Sequence, residues 1–276
     1  RRHSFPTRRS SDLLKEKQFY PNLLYLGMKY TFVSVFFILF IGVNTASVNA
    51  QNNWDFGSWN TLNLNYHFNK KLSVLMTQEA RFKSNLSQLN LFYTNIGVEY
   101  RSNEYFRNAL VYRHIDKYIN EDNRFSFRHR IMWDMTVRYP INEKLTVSYR
   151  HRLQIENRNI YSSSKGYLAE VYSRNKFAIK YNLSDRLSTD VSAEFRYQLH
   201  DPRNLESEST WHRNRFMAGI NYQASDALEW GAYYLLQNEF NVSLRENLSV
   251  IGLELNVDMN RLIKSVRPRE EDVYLE

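Results

Sequence analysis

The chain has 276 residues, no cysteine, 15% aromatic residues and a formal net charge of +8, which excludes disulfide scaffolds and thiol or cysteine–zinc chemistry. The charge is concentrated at one end: residues 1–50 hold seven basic and two acidic residues, leaving 30 against 27 in residues 51–276, so the body lacks the basic stripe of a nucleic-acid binder. A mean hydropathy of −0.59 argues against helical membrane spans in that body but not against a β-barrel, whose hydrophobicity is halved by alternation.

Residues 1–27 read as a non-native leader, since RRHSFPTRRSSDL resembles a translated sequencing adapter. Met28 and Lys29 begin a signal-peptide pattern: Phe32 to Val43 is the apolar stretch, and Val48-Asn49-Ala50 is a small-x-small cleavage site. The apolar stretch is short for a transmembrane helix, so residues 28–50 are expected to be a cleaved signal peptide, with an uncleaved anchor as the alternative.

Strand then follows strand, at 58–68, 72–82, 89–101, 105–117, 124–139, 145–157, 167–181, 187–198, 210–222, 227–240 and 247–257. The clearest hairpin is FSFRHRIMWDMTVRY–PINEK–LTVSYRHRLQIENR, residues 125–158. Phe125, Phe127, His129, Ile131, Trp133, Met135, Val137 and Tyr139 take every second position, with Arg128, Arg130 and Asp134 among those between them. Such a period of two makes a strand with one apolar and one polar face. Most runs are longer than the usual soluble strand and long enough to cross a bilayer at a tilt.

Connections alternate in length. Short polar turns fall at 69–71, 102–104, 140–144, 182–186 and 223–226, and longer segments at 83–88, 118–123, 159–166, 199–209 and 241–246. Periplasmic turns and extracellular loops of an outer-membrane barrel have this pattern. The expected fold is therefore all-β, an antiparallel transmembrane outer-membrane β-barrel of about 10–12 strands over residues 51–257, with a charged C-terminal tail at 258–276. The alternative is a secreted soluble β protein with the faces reversed. Eleven runs do not fit the even strand number of single-chain bacterial barrels, so either Trp54 to Phe68 is not an ordinary strand or one strand is missed.

With the strands laid out, the sequence resembles the outer-membrane β-barrel family known as domain of unknown function 2490. The resemblance rests on Trp54 and Trp59, Glu79 with Arg81, Tyr112-Arg113, Arg128-His129-Arg130, and Arg150-His151-Arg152 running on to Glu156 and Arg158. It continues through Arg174-Asn175-Lys176, Glu194-Phe195-Arg196 and Arg213-Asn214-Arg215, with Gly219 and Tyr222. Lys176 departs from it, standing where a second arginine is expected. The resemblance implies a barrel and an address in the cell outer membrane; it supplies no activity.

In a membrane barrel the charged phase points into the lumen, because an Arg or Lys at the lipid midplane costs about 2–4 kcal/mol. The expected lumen network is Glu79, Arg81, Arg113, Arg128, Arg130, Arg150, Arg152, Glu156, Arg174, Lys176, Glu194, Arg196, Arg213 and Arg215, joined by Glu99, Asp134 and Asp190. Arginine pairs carboxylates bidentately, so the network either braces a small closed lumen or forms an electropositive path for anions. Trp133, Tyr139, Tyr149, Tyr181, Tyr197, Tyr222 and Trp230 fall on the apolar phase, where interfacial girdles account for them. His151, Ser173 and Asn175 share that phase and make the types of a lipid-facing hydrolase; this enzyme is the alternative to a non-enzymatic pore or structural envelope protein. No phosphate loop, HExxH or EF-hand motif is present, so no catalytic residue, metal or cofactor is expected. Expected partners are outer-membrane lipid and lipopolysaccharide, the barrel-assembly machinery and small anionic solutes, not nucleic acid.

Overall fold

The computed structural model describes residues 54–119, 124–158, 169–200, 210–241, 245 and 247–266. The leader, the signal peptide and the end of the tail lie outside the described residues. The strands are β1 (Trp54–His67), β2 (Leu72–Lys83), β3 (Gln88–Arg101), β4 (Phe106–Ile119), β5 (Arg124–Pro140), β6 (Leu145–Arg158), β7 (Ala169–Asn182), β8 (Leu187–His200), β9 (Thr210–Gln223), β10 (Leu228–Glu239) and β11 (Asn247–Asp258). A short helix, α1 (Met259–Val266), follows.

Each strand pairs with its sequence neighbours and the sheet closes on itself. Closure is the exception to antiparallel pairing: β1 lies parallel to β11, from Trp54↔Asn247 to Asn65↔Asp258. Among the described residues the barrel therefore has eleven strands, neither ten nor twelve, and Trp54–His67 is a full member. Parallel pairing is what lets an odd number close, since an odd count brings the first and last strands side by side pointing the same way.

Every connection at one rim is built alike. Asn69 Oδ1 accepts the amides of Lys71 and Leu72 at 2.8 and 2.9 Å, and Asn103 and Asn142 in the same manner hold the first residue of β4 and of β6 and the residue before it. A serine does the work at the other two, Ser184 toward Leu187 and Ser225 toward Ala227. Such side chains mimic a backbone turn and fix where the next strand starts. We call this end the turn rim and the other the loop rim. At the loop rim Ser84, Asn85 and Leu86 take positive φ, and Asp55 accepts the amides of Ser84 and Asn85.

The faces are inverted relative to a soluble barrel. Leu110 is 61% exposed and Trp133 47%, while Glu156 and Glu194 keep only 4% and 7% of their surface. A soluble protein hides the first pair and wets the second; a bilayer reverses both demands. The chain is an outer-membrane barrel, and its aliphatic and aromatic belt is the lipid face. Among the described residues no helix is long and apolar enough to cross a membrane.

The tail differs from a plain charged extension. Asp258 accepts the Arg261 amide, an N-terminal cap, and α1 lies against the β1–β11 seam at the turn rim. Asn260 exchanges two hydrogen bonds with the backbone of His67, accepting from its N–H at 2.6 Å and donating to its C=O at 2.9 Å.

Candidate functional site

The inward phase of the strands encloses a cavity of about 700 Å³. The fourteen charged residues of the expected network all line it. Basic side chains outnumber acidic ones among the lining residues by about two to one. Three carboxylates organise half of the basic ones. Glu194 on β8 receives Arg174 at 2.5 Å, Arg150 at 2.9 Å and Arg215 at 3.4 Å, tying β6, β7 and β9 to one point. Asp134 on β5 takes both arms of Arg152, at 2.5 and 2.6 Å. Glu156 on β6 receives Arg130 at 2.5 Å and Arg128 at 3.2 Å. Gln154, fully buried, links the first and last of these groups: it donates to Glu156 and accepts from Arg174. Charge-assisted bonds of this length, in a wall shielded from water, are the strong class.

On the opposite wall Glu79 accepts the hydroxyls of Thr61 at 3.0 Å and Tyr93 at 2.6 Å and pairs with Arg81. The Arg81 guanidinium lies 3.6 Å over the Trp59 ring, a cation–π contact that explains an inward tryptophan. Arg213 pairs with Glu239. Glu99 receives Arg107 at 3.3 Å, and Asp190 accepts from Asn221.

Among the described residues, Arg113, Lys176 and Arg196 have no carboxylate within salt-bridge distance. Arg113 donates to Asn95 at 2.6 Å and lies 3.5 Å over the Tyr93 ring. Arg196 bonds to His212. Lys176 makes no ion pair or side-chain hydrogen bond among the described residues. The lattice is dense but leaves positive charge over.

The structure brings together two members of the lipid-facing trio and leaves out the third. His151 Nδ1 is 3.0 Å from Asn175 Oδ1, which also accepts the Tyr149 hydroxyl at 2.7 Å. Ser173 pairs with Leu153 and Tyr197 instead, and no hydrogen bond joins it to His151. Among the described residues no group of three or more His, Asp or Glu side chains could hold a metal ion.

Sequence alternation missed two inward residues, Asn90 and His212. Each stands next to another lining residue, Leu91 and Arg213, which strict alternation forbids. Register shifts explain both: one lies between Arg81 and Phe82 where β2 meets β3, the other between Arg196 and Tyr197 where β8 meets β9. A bulge inserts an extra residue and re-aims its side chain.

A model of the family described as "Protein of unknown function (DUF2490)" matches residues 56–247. No curated protein matches the chain. Ten chains of solved structures do. A "Bacterial polysaccharide outer membrane secretin" is 13% identical, with a TM-score of 0.43, and the match covers 69% of this chain. The chain spans 63% of that secretin's length. A structure described as "NanC porin structure in rhombohedral crystal form" is 10% identical, with a TM-score of 0.44, covering 71% of this chain and 93% of the porin's.

Proposed function

The chain belongs to the DUF2490 family, and we propose that it is a narrow, anion-preferring pore of the outer membrane whose selectivity comes from its arginine-rich lumen. One observation carries this reading: a cavity of about 700 Å³ persists inside the barrel, and Arg113, Lys176 and Arg196 face it with no carboxylate within salt-bridge distance among the described residues. A lumen built for bracing alone gains nothing from unmatched cations, because an uncompensated buried charge is costly. A channel gains selectivity from them, since like-signed charge between low-dielectric walls concentrates the opposite ion.

The short turns orient the turn rim toward the periplasm and the loop rim outward. Export by the signal peptide read in residues 28–50, insertion by the barrel-assembly machinery, and lipopolysaccharide against the outer half of the belt complete the proposal. A second reading, a closed structural barrel, is favoured by the convergence of three arginines on Glu194. The enzyme reading is left with the His151–Asn175 pair and no nucleophile bonded to it.

Single-channel recording in planar bilayers tests the proposal. The folded chain is expected to give small discrete steps with an anion-selective reversal potential in a KCl gradient. Arg113→Gln with Lys176→Gln is expected to move that potential toward cation preference. Silence from a barrel that is folded by heat-modifiable gel migration overturns the pore and leaves the brace.

A further inference from the structure

Near the loop rim the wall of the lumen carries a cluster that neither the brace nor a general positive field requires. Strands β8 and β9 pair as Arg196↔Arg213 and then Tyr197↔Trp211, so His212 is the extra residue on β9 and enters the lumen beside Arg213. The residue is 3% exposed, and its ring stacks on Tyr172, with centroids 5.4 Å apart and planes 14° from parallel. The Arg196 guanidinium lies 4.6 Å from the Tyr172 ring and bonds to His212 Nε2.

That bond assigns the tautomer. A guanidinium only donates, so Nε2 accepts and the imidazole proton sits on Nδ1. Among the described residues the Nδ1–H has no acceptor, and neither do the Nε–H groups of Arg196 and Arg213. Of the carboxylates close by, Glu239 holds Arg213, and Glu170 accepts the Tyr172 hydroxyl at 2.5 Å through Oε2, while its buried Oε1 reaches none of the three donors. Three buried donors without acceptors, beside a guanidinium without a counter-charge, make a place that lacks an anion. Planar guanidinium forks match the oxygen pairs of carboxylate and phosphate.

We propose that Arg196, His212 and Arg213 form a binding site for an oxyanion, the carboxylate or phosphate group of a solute travelling through the lumen. It rests on the anion-pathway reading and adds to it one fixed station near the outer mouth. The orphaned nitrogens are shielded from solvent, so loading the site requires the Arg196 side chain to swing off His212 toward the cavity.

Isothermal titration of the refolded full chain at low ionic strength, with inorganic phosphate and separately with acetate, tests this. One saturable site is expected; tighter binding of phosphate points to phosphorylated solutes, tighter binding of acetate to carboxylated ones. Arg196→Gln is expected to weaken it at least tenfold. His212→Phe keeps the stack on Tyr172, removes the donor, and is expected to weaken it severalfold, while Lys144→Gln in a turn binds like the unaltered protein. No saturable heat from a folded barrel, or equal binding by Arg196→Gln, overturns the site. A stability measurement guards against a structural explanation: with no carboxylate to lose, Arg196→Gln is expected to raise the unfolding temperature of the unliganded barrel, and a lowered one counts against the proposal. A barrel that conducts anions but binds neither probe sinks the station and spares the pore. One that binds phosphate yet never conducts sinks the pore and spares the station.

Discussion

Replacing Glu194 by glutamine removes one charge and leaves three guanidiniums facing one another. Arg174, Arg150 and Arg215 approach this carboxylate at 2.5, 2.9 and 3.4 Å. At an effective dielectric of about 20, each such contact carries a gross attraction of roughly 5 kcal/mol, most of it offset by desolvation. Breaking a buried pair from one side costs about 3–5 kcal/mol, and the amide oxygen still accepts a hydrogen bond, so about 3 kcal/mol is the expected loss. With a urea slope of about 3 kcal/mol/M, at the upper end for small proteins, the midpoint falls by about 1 M. The assay is the loss of the fast-migrating folded form in unboiled gels across a urea series. Adding Arg174→Gln is expected to restore part of the loss, because the two effects share one contact and are not additive. A Glu194→Gln barrel that unfolds at the unaltered midpoint refutes the claim that this carboxylate holds β6, β7, β8 and β9 together.

Two further perturbations test the lumen and the lipid face. A Cβ at Gly252 would meet the Tyr233 ring at 1.9 to 2.3 Å, so Gly252→Ala is expected to push that ring into the cavity and shrink the unit conductance; unchanged steps from a folded variant would mean the ring is not held against the wall there. Trp133→Arg places a charge on the outer face and is expected to cost about 2–4 kcal/mol if that position lies near the lipid midplane, read as a lower folded fraction in lipid vesicles; a neutral outcome would argue against the lipid belt.

How much of this was legible depended on whether the governing contact is local. The run from Phe125 to Tyr139 announces its own strand and both its faces, because alternation is a property of neighbours in sequence. The observed β5 and β6 accordingly fall within a residue of their expected bounds. Arg150, Arg174 and Glu194 were placed on the inner phase by the same logic, though their convergence on one carboxylate depends on strand register. His212 was missed because its orientation is set by a pairing shift at Arg196 and Tyr197, two strand positions that carry no signature of their own. The parity stays open in the sequence for a related reason: nothing in Trp54–His67 records that its partner lies about 190 residues later. The turns were legible too, because their asparagines are local signals; Asn69, Asn103 and Asn142 each stand three residues before a strand begins. Met259, Leu262, Ile263 and Val266 keep helical spacing, a signal that the charge of the tail obscures in the sequence.

The parallel seam between β1 and β11 separates two points that an even-stranded barrel keeps together. β1 begins at the loop rim, and β11 hands over to α1 at the turn rim. Circular permutation, which elsewhere needs only a short linker between neighbouring ends, here demands a segment that runs the length of a strand, about 40 Å at the rise per residue of β structure. The lipid face offers such a segment no partners for its backbone, which leaves the lumen as its route. A passenger fused ahead of Trp54 and another fused after Val266 should therefore report from opposite sides of the same membrane.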